Sequence, residues 1–172
     1  MPNNETLKEL IVVTRQHINL PEAVIEKDYY VTQVIHALAE VESDYFRLIF
    51  CGGTCLAKAH KVVSRMSEDV DFKIQVKQMD AVFSKSRLLK ELKEFRAHIN
   101  SSLMLPGLMT GVPVVRNEGK YSRIEMDYPS VFPISAGLRP HILLEFTLSD
   151  VRLAVENLLI LALYISITDW SI

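Results

Sequence analysis

Two glycines constrain this chain more than any other residues. Gly52 and Gly53 close the short apolar run Arg47-Leu-Ile-Phe-Cys51 and lead directly into Thr54-Cys-Leu-Ala-Lys58. An apolar run ended by a glycine pair reads as a buried strand turning sharply into a helix. The helix is expected to reach about Val63, with Thr54 as its cap. Further on, Asp69, Asp71, Lys73 and Gln75 alternate with Val70, Phe72, Ile74 and Val76. That is the period-2 pattern of a strand with one polar and one apolar face.

The remaining segments place helices and strands around this unit. Leu7, Leu10, Ile11 and Ile18 recur at near-helical spacing, and Pro21 then opens a second helix, expected to run to about Val41. Its stripe is Val24, Val31, Val34, Ile35 and Leu38, which leaves Glu26, Lys27 and Asp28 mostly off the apolar face. Met79 to about Ser101 reads as a surface helix with Phe83, Leu88, Leu92, Phe95 and Ile99 inward. Gly111–Arg116 and Tyr121–Tyr128 flank the turn Asn117-Glu-Gly-Lys120 as a hairpin, and Pro113 marks its first strand as an edge. Arg139-Pro-His-Ile-Leu-Leu-Glu-Phe-Thr147 is apolar enough for a central strand. The expected class is α+β, a mixed β-sheet flanked by helices.

At 172 residues, one domain is expected: N-terminal helices over 1–45, a core over 46–150 and a short C-terminal segment over 151–172. A net charge of −2 means that any nucleic-acid contact must be local. The N-terminus lacks the charged and apolar regions of a signal peptide, so the expected location is cytoplasmic. The longest apolar run, Leu158 to Ile167, falls short of the ~20 residues that cross a bilayer. No membrane partner is expected. Cys51 and Cys55 bracket the glycine turn without further ligands at zinc spacing and read as reduced packing residues.

A strand that ends in Gly52-Gly53-Thr54 lets backbone approach a ligand closely and aims unpaired amides at it, and phosphate suits such a turn. Asp69 and Asp71, two apart on one strand, face the same way. Their charges repel unless a cation lies between them. Magnesium takes oxygen ligands from one or two carboxylates plus substrate phosphates, so the pair and the turn together point to a nucleoside triphosphate carrying Mg²⁺. A third acid is expected on a neighbouring strand. Glu145, among Ile142, Leu143, Leu144 and Phe146, is the first candidate, and Asp127 the alternative. Lys58 and Arg65 could neutralise triphosphate charge, Ser67 could bond the turn or a phosphate, and Arg65 could instead pair with Glu68 or Asp69. The histidines show no ligand spacing, and no serine sits in a nucleophile elbow.

These residues resemble the AbiEii/AbiGii toxin family, within the polymerase-beta-like nucleotidyltransferase superfamily. Gly52-Gly53-Thr54 with Leu56 and Lys58 is similar to the family's first motif, and Arg65-x-Ser67-x-Asp69-x-Asp71 to its second. Ile25-Glu-Lys-Asp-Tyr29 resembles the segment preceding the core, and Arg139 to Glu145 resembles the third-motif strand. The resemblance implies an enzyme with a polymerase-beta-like core that moves a nucleotide from a nucleoside triphosphate to an acceptor, RNA such as tRNA. It also implies a separate antitoxin protein, in toxin–antitoxin or abortive-infection systems. Asp69, Asp71 and Glu145 would be its catalytic, Mg²⁺-binding acids; Gly52, Gly53, Thr54, Lys58, Arg65 and Ser67 would hold the nucleotide. The family's fourth motif, of Lys-Asp-x-x-Asp type on a further helical region, has no match in Leu158–Ile172. The expectation is a truncated or atypical C-terminal segment, poor or absent transfer, and self-association through the apolar run.

Overall fold

The computed structural model describes residues 4–60, 69–77, 84–134, 137–150, 155–156 and 160. Helices α1 (Asn4–Ile18) and α2 (Glu22–Ala39) are followed by strand β1 (Phe46–Cys51) and helix α3 (Gly52–Lys58). Strand β2 (Asp69–Val76), helix α4 (Lys85–Ser102) and strands β3 (Met109–Thr110), β4 (Val114–Arg116), β5 (Tyr121–Asp127) and β6 (His141–Leu148) complete the described elements. The class is α+β, as the alternation of patterns implies.

The strands form one sheet in the order β1-β2-β6-β5-β3, with β4 also on β5. β2 and β6 run parallel and the other pairs antiparallel, so the sheet is mixed. Because side chains alternate across a strand, register assigns every residue to a face. Phe46, Val70, Phe72, Ile74, Ile124, Met126, Ile142, Leu144 and Phe146 make the buried face. Leu7 and Ile11 of α1, Ile25, Tyr29 and Val34 of α2, and Leu92, Phe95 and Ile99 of α4 cover it. Phe46 stacks on Phe95 with ring centroids 5.2 Å apart, and Phe72 on Phe146 at 5.6 Å. Each such ring, fully buried, stabilises the fold by about 1.5–3 kcal/mol. The opposite face carries Asp69, Asp71, Lys73, Glu145 and Thr147, half-buried or exposed.

Three local expectations change. α3 begins at Gly52 with Cys51 as its cap position, and Thr54 instead donates its hydroxyl to the Asp69 carbonyl, tying the turn to β2. α3 ends at Lys58, and the residues from Lys61 to Val63 lie outside the described set. α4 begins at Lys85, where the Ser84 hydroxyl accepts from the Arg87 amide.

The larger change is in α2. Glu26 and Lys27 are fully buried and Asp28 nearly so. Buried charge is tolerated only when paired. Glu26 accepts from the Val131 amide and the Ser130 hydroxyl, each at 2.7 Å. Lys27 donates to the Arg139 carbonyl at 3.1 Å, and Asp28 takes the Lys58 ammonium at 2.6 Å. The polar side of α2 therefore faces protein, because α2 packs under the loop before β6 as well as under the sheet. Among the described residues, no helix is long and apolar enough to cross a membrane.

Candidate active site

Gly52 adopts φ +74°, a conformation that suits glycine, and its α-carbon rests against the Asp71 carboxylate. A β-carbon there would lie 2.0 Å from Asp71 Oδ2. Antiparallel pairing of Cys51 with Asp71 sets this approach, and the Cys51 thiol lies 3.5 Å from the Asp71 carbonyl oxygen that accepts from it. On its other side Asp71 pairs with Glu145 of β6, in parallel register. Asp69, two residues before Asp71, shares its face.

The structure therefore brings Gly52, Asp69, Asp71 and Glu145 to one end of the open face. Asp127 stands apart, level with His141 at the C-terminal end of β5, four residues along from Arg123, which is the residue opposite Glu145. The alternation within each strand could not choose between the two acids. The parallel β2–β6 pairing puts Glu145, and not Asp127, opposite Asp71.

Each acid has a distinct environment. Burial pushes the Asp71 carboxyl above its ordinary range, and the charges of Glu145 and then Asp69 push it further. Glu145 accepts a hydrogen bond from the Tyr121 hydroxyl at 2.7 Å. Burial, followed by this bond and the Glu145 charge, raises the Tyr121 phenol. Asp69 is engaged by the Arg139 guanidinium. The Cys51 thiol is raised by burial and then by Asp71, which keeps it a neutral packing group.

An open cleft of about 480 Å³ lies over this end, lined by Cys51, Gly52, Asp71, Phe72, Lys73, Glu145, Thr147 and Ser149. The Ser149 hydroxyl is buried and has no hydrogen-bond partner among the described residues. Among the described residues, no three His, Cys, Asp or Glu side chains are gathered as a ready metal centre. The donor chemistry fits a hard cation, because three carboxylates share one face and Asp71 is raised by burial and then by its like-charged neighbours.

Lys58 goes elsewhere. Its ammonium pairs with Asp28, both side chains at most 10% exposed, so it anchors the end of α3 to α2. Gly53 and Thr54 follow Gly52 in α3. Arg65 and Ser67 lie outside the described residues. Sequence reasoning overlooked Arg139, Tyr121, Thr147 and Ser149 as neighbours of the acids. Lys73 carried a signal through its place on the Asp69–Asp71 side of the alternation, and Arg139 and Thr147 through their place in the strand that carries Glu145.

Residues 36–167 match the family of nucleotidyl transferase AbiEii toxins of type IV toxin–antitoxin systems. The chain belongs to this family. The matched stretch holds the Gly52 turn, all three acids and Arg139. No curated protein matches the chain. Among solved structures the chain is similar to MenT4, a nucleotidyltransferase toxin of Mycobacterium tuberculosis H37Rv, at 19% identity and a TM-score of 0.48. That similarity covers 80% of this chain and 43% of MenT4, so the chain spans less than half of that protein's length.

Proposed function

We propose that this AbiEii-family chain transfers a nucleotide from a nucleoside triphosphate to an acceptor hydroxyl, with RNA such as tRNA as the acceptor: the acceptor oxygen bonds to the α-phosphorus, the α–β anhydride bond breaks, and pyrophosphate leaves. The observation that carries this reading is the packing of the Gly52 turn onto Asp71, opposite Glu145. A turn without a β-carbon admits phosphate close to the main chain of Gly52, Gly53 and Thr54. Arg65 and Ser67 would add phosphate contacts from the segment leading into β2. Asp69, Asp71 and Glu145 would hold magnesium, which when bound neutralises phosphate charge and orients the transferred group.

The remaining chemistry belongs to the chain's own side chains. Asp71, already raised by burial and by its acidic neighbours, favours a cationic ligand because neutralising any one of the three acids relieves the others. Glu145, or a water held against it, takes the proton of the acceptor hydroxyl. Tyr121 fixes the Glu145 carboxylate through its hydroxyl. Family membership implies an antitoxin as protein partner, and such a pair would act in the cytoplasm.

The test is incubation of the chain with magnesium, labelled nucleoside triphosphates and total tRNA, beside melting curves with the same triphosphates. Labelled RNA from the wild type and none from Asp71→Asn is the expected result. The Asp69–Arg139 ion pair favours a second reading, a nucleotide-binding chain without transfer. A magnesium-dependent melting shift without label in any RNA would establish that second reading, and neither shift nor label would overturn both.

A further inference from the structure

A triphosphate needs cationic partners, and the lysine that follows the glycine turn is already engaged. Lys58 is held by Asp28 in a buried pair. Among the described residues, the arginine that ion-pairs with one of the acids is Arg139. Its two ends are held very differently. Its carbonyl accepts from Lys27, a side chain with no solvent exposure, and Pro140 restricts its backbone to extended conformations. Its guanidinium meets Asp69 at the surface, where the two side chains are 46% and 41% exposed.

A half-exposed ion pair of this kind is weak and exchanges partners readily. While it is closed, the Asp69 oxygen that receives Arg139 cannot serve a cation. When a cation takes Asp69, the guanidinium is displaced with its backbone still fixed beside the acids. Its planar fork of donors then matches phosphate oxygens in paired hydrogen bonds.

Resting on the nucleotide-site reading above, we propose that Arg139 is a partner-exchanging triphosphate ligand. It closes on Asp69 when no nucleotide is present and moves onto a phosphate when the accompanying cation claims Asp69. The anchor at Lys27 makes the exchange a side-chain rotation about a fixed backbone. α2 thereby contributes to the site without touching substrate.

The proposal predicts opposite signs for two ligands, which a merely structural role for Arg139 does not. Binding to the full chain is measured for manganese(II) alone, by electron paramagnetic resonance, and for the magnesium complex of non-hydrolysable ATP and GTP analogues, by calorimetry. Arg139→Gln should bind manganese(II) more tightly, because Asp69 is released, and the analogue at least about ten-fold more weakly. Arg139→Lys, which keeps the charge but loses the fork, should show the same two signs at smaller size, and serves if the glutamine variant does not fold. Changes of one sign for both ligands, or no change, overturn the proposal while leaving the nucleotide site standing. A wild-type chain that binds no analogue overturns the nucleotide site and the proposal together.

Discussion

Gly52 and Asp71 are in contact at the α-carbon: a methyl group added to Gly52 would sit 2.0 Å from Asp71 Oδ2, and the backbone there has φ +74°. Sterics and conformation thus act together at one position. Gly52→Ala is expected to lose about 1–3 kcal/mol from the backbone conformation and the displaced carboxylate. It should also abolish the melting shift given by magnesium nucleotide, because Asp71 must turn away. Urea unfolding and melting curves on the same sample measure both; a variant with unchanged stability would refute the contact.

Asp71 gives the fold a characteristic pH dependence. Its carboxyl is raised in the folded chain, so the folded state holds its proton to higher pH than the unfolded state does. Stability therefore falls as pH rises from the ordinary carboxylate range through the raised value, and the deficit persists above it. Asp71→Asn removes that loss. In metal-free buffer the variant should melt higher than wild type at neutral pH and converge with it toward acid pH. A variant that melts lower at neutral pH would show that Asp71 is stabilised, rather than strained, by its surroundings.

The Asp28–Lys58 pair is a fold element. Both side chains are nearly excluded from solvent, so Lys58→Met takes the ammonium away from a buried carboxylate and is expected to cost about 3–5 kcal/mol. The double variant Asp28→Leu with Lys58→Met should recover most of that loss. Were Lys58 a triphosphate ligand instead, Lys58→Met would weaken nucleotide binding and barely move the urea midpoint.

Tyr121→Phe keeps the ring and removes the hydroxyl that donates to Glu145. The expected stability cost is about 1 kcal/mol, the net worth of one hydrogen bond. Urea unfolding of the variant beside wild type checks this, and an unchanged midpoint would count against the bond.

The sequence alone determined the elements whose signals are local. The Gly52-Gly53 break marks the strand-to-helix turn because glycine tolerates the backbone it needs, and alternation over Asp69–Val76 puts two acids on one face because strand side chains repeat every second residue. Pro113 marked the edge position of β4 for the same kind of local reason, its missing amide. The tertiary structure decided everything that depends on which elements meet. Parallel pairing of β2 with β6 put Glu145, not Asp127, beside Asp71. Packing of α2 beneath the β5–β6 loop buried Glu26, Lys27 and Asp28, which helical periodicity had left outside. That same packing sent Lys58 to Asp28 and fixed the Arg139 backbone through Lys27. A helix period records which residues share a side; only the neighbours on each side settle whether that side meets water or protein.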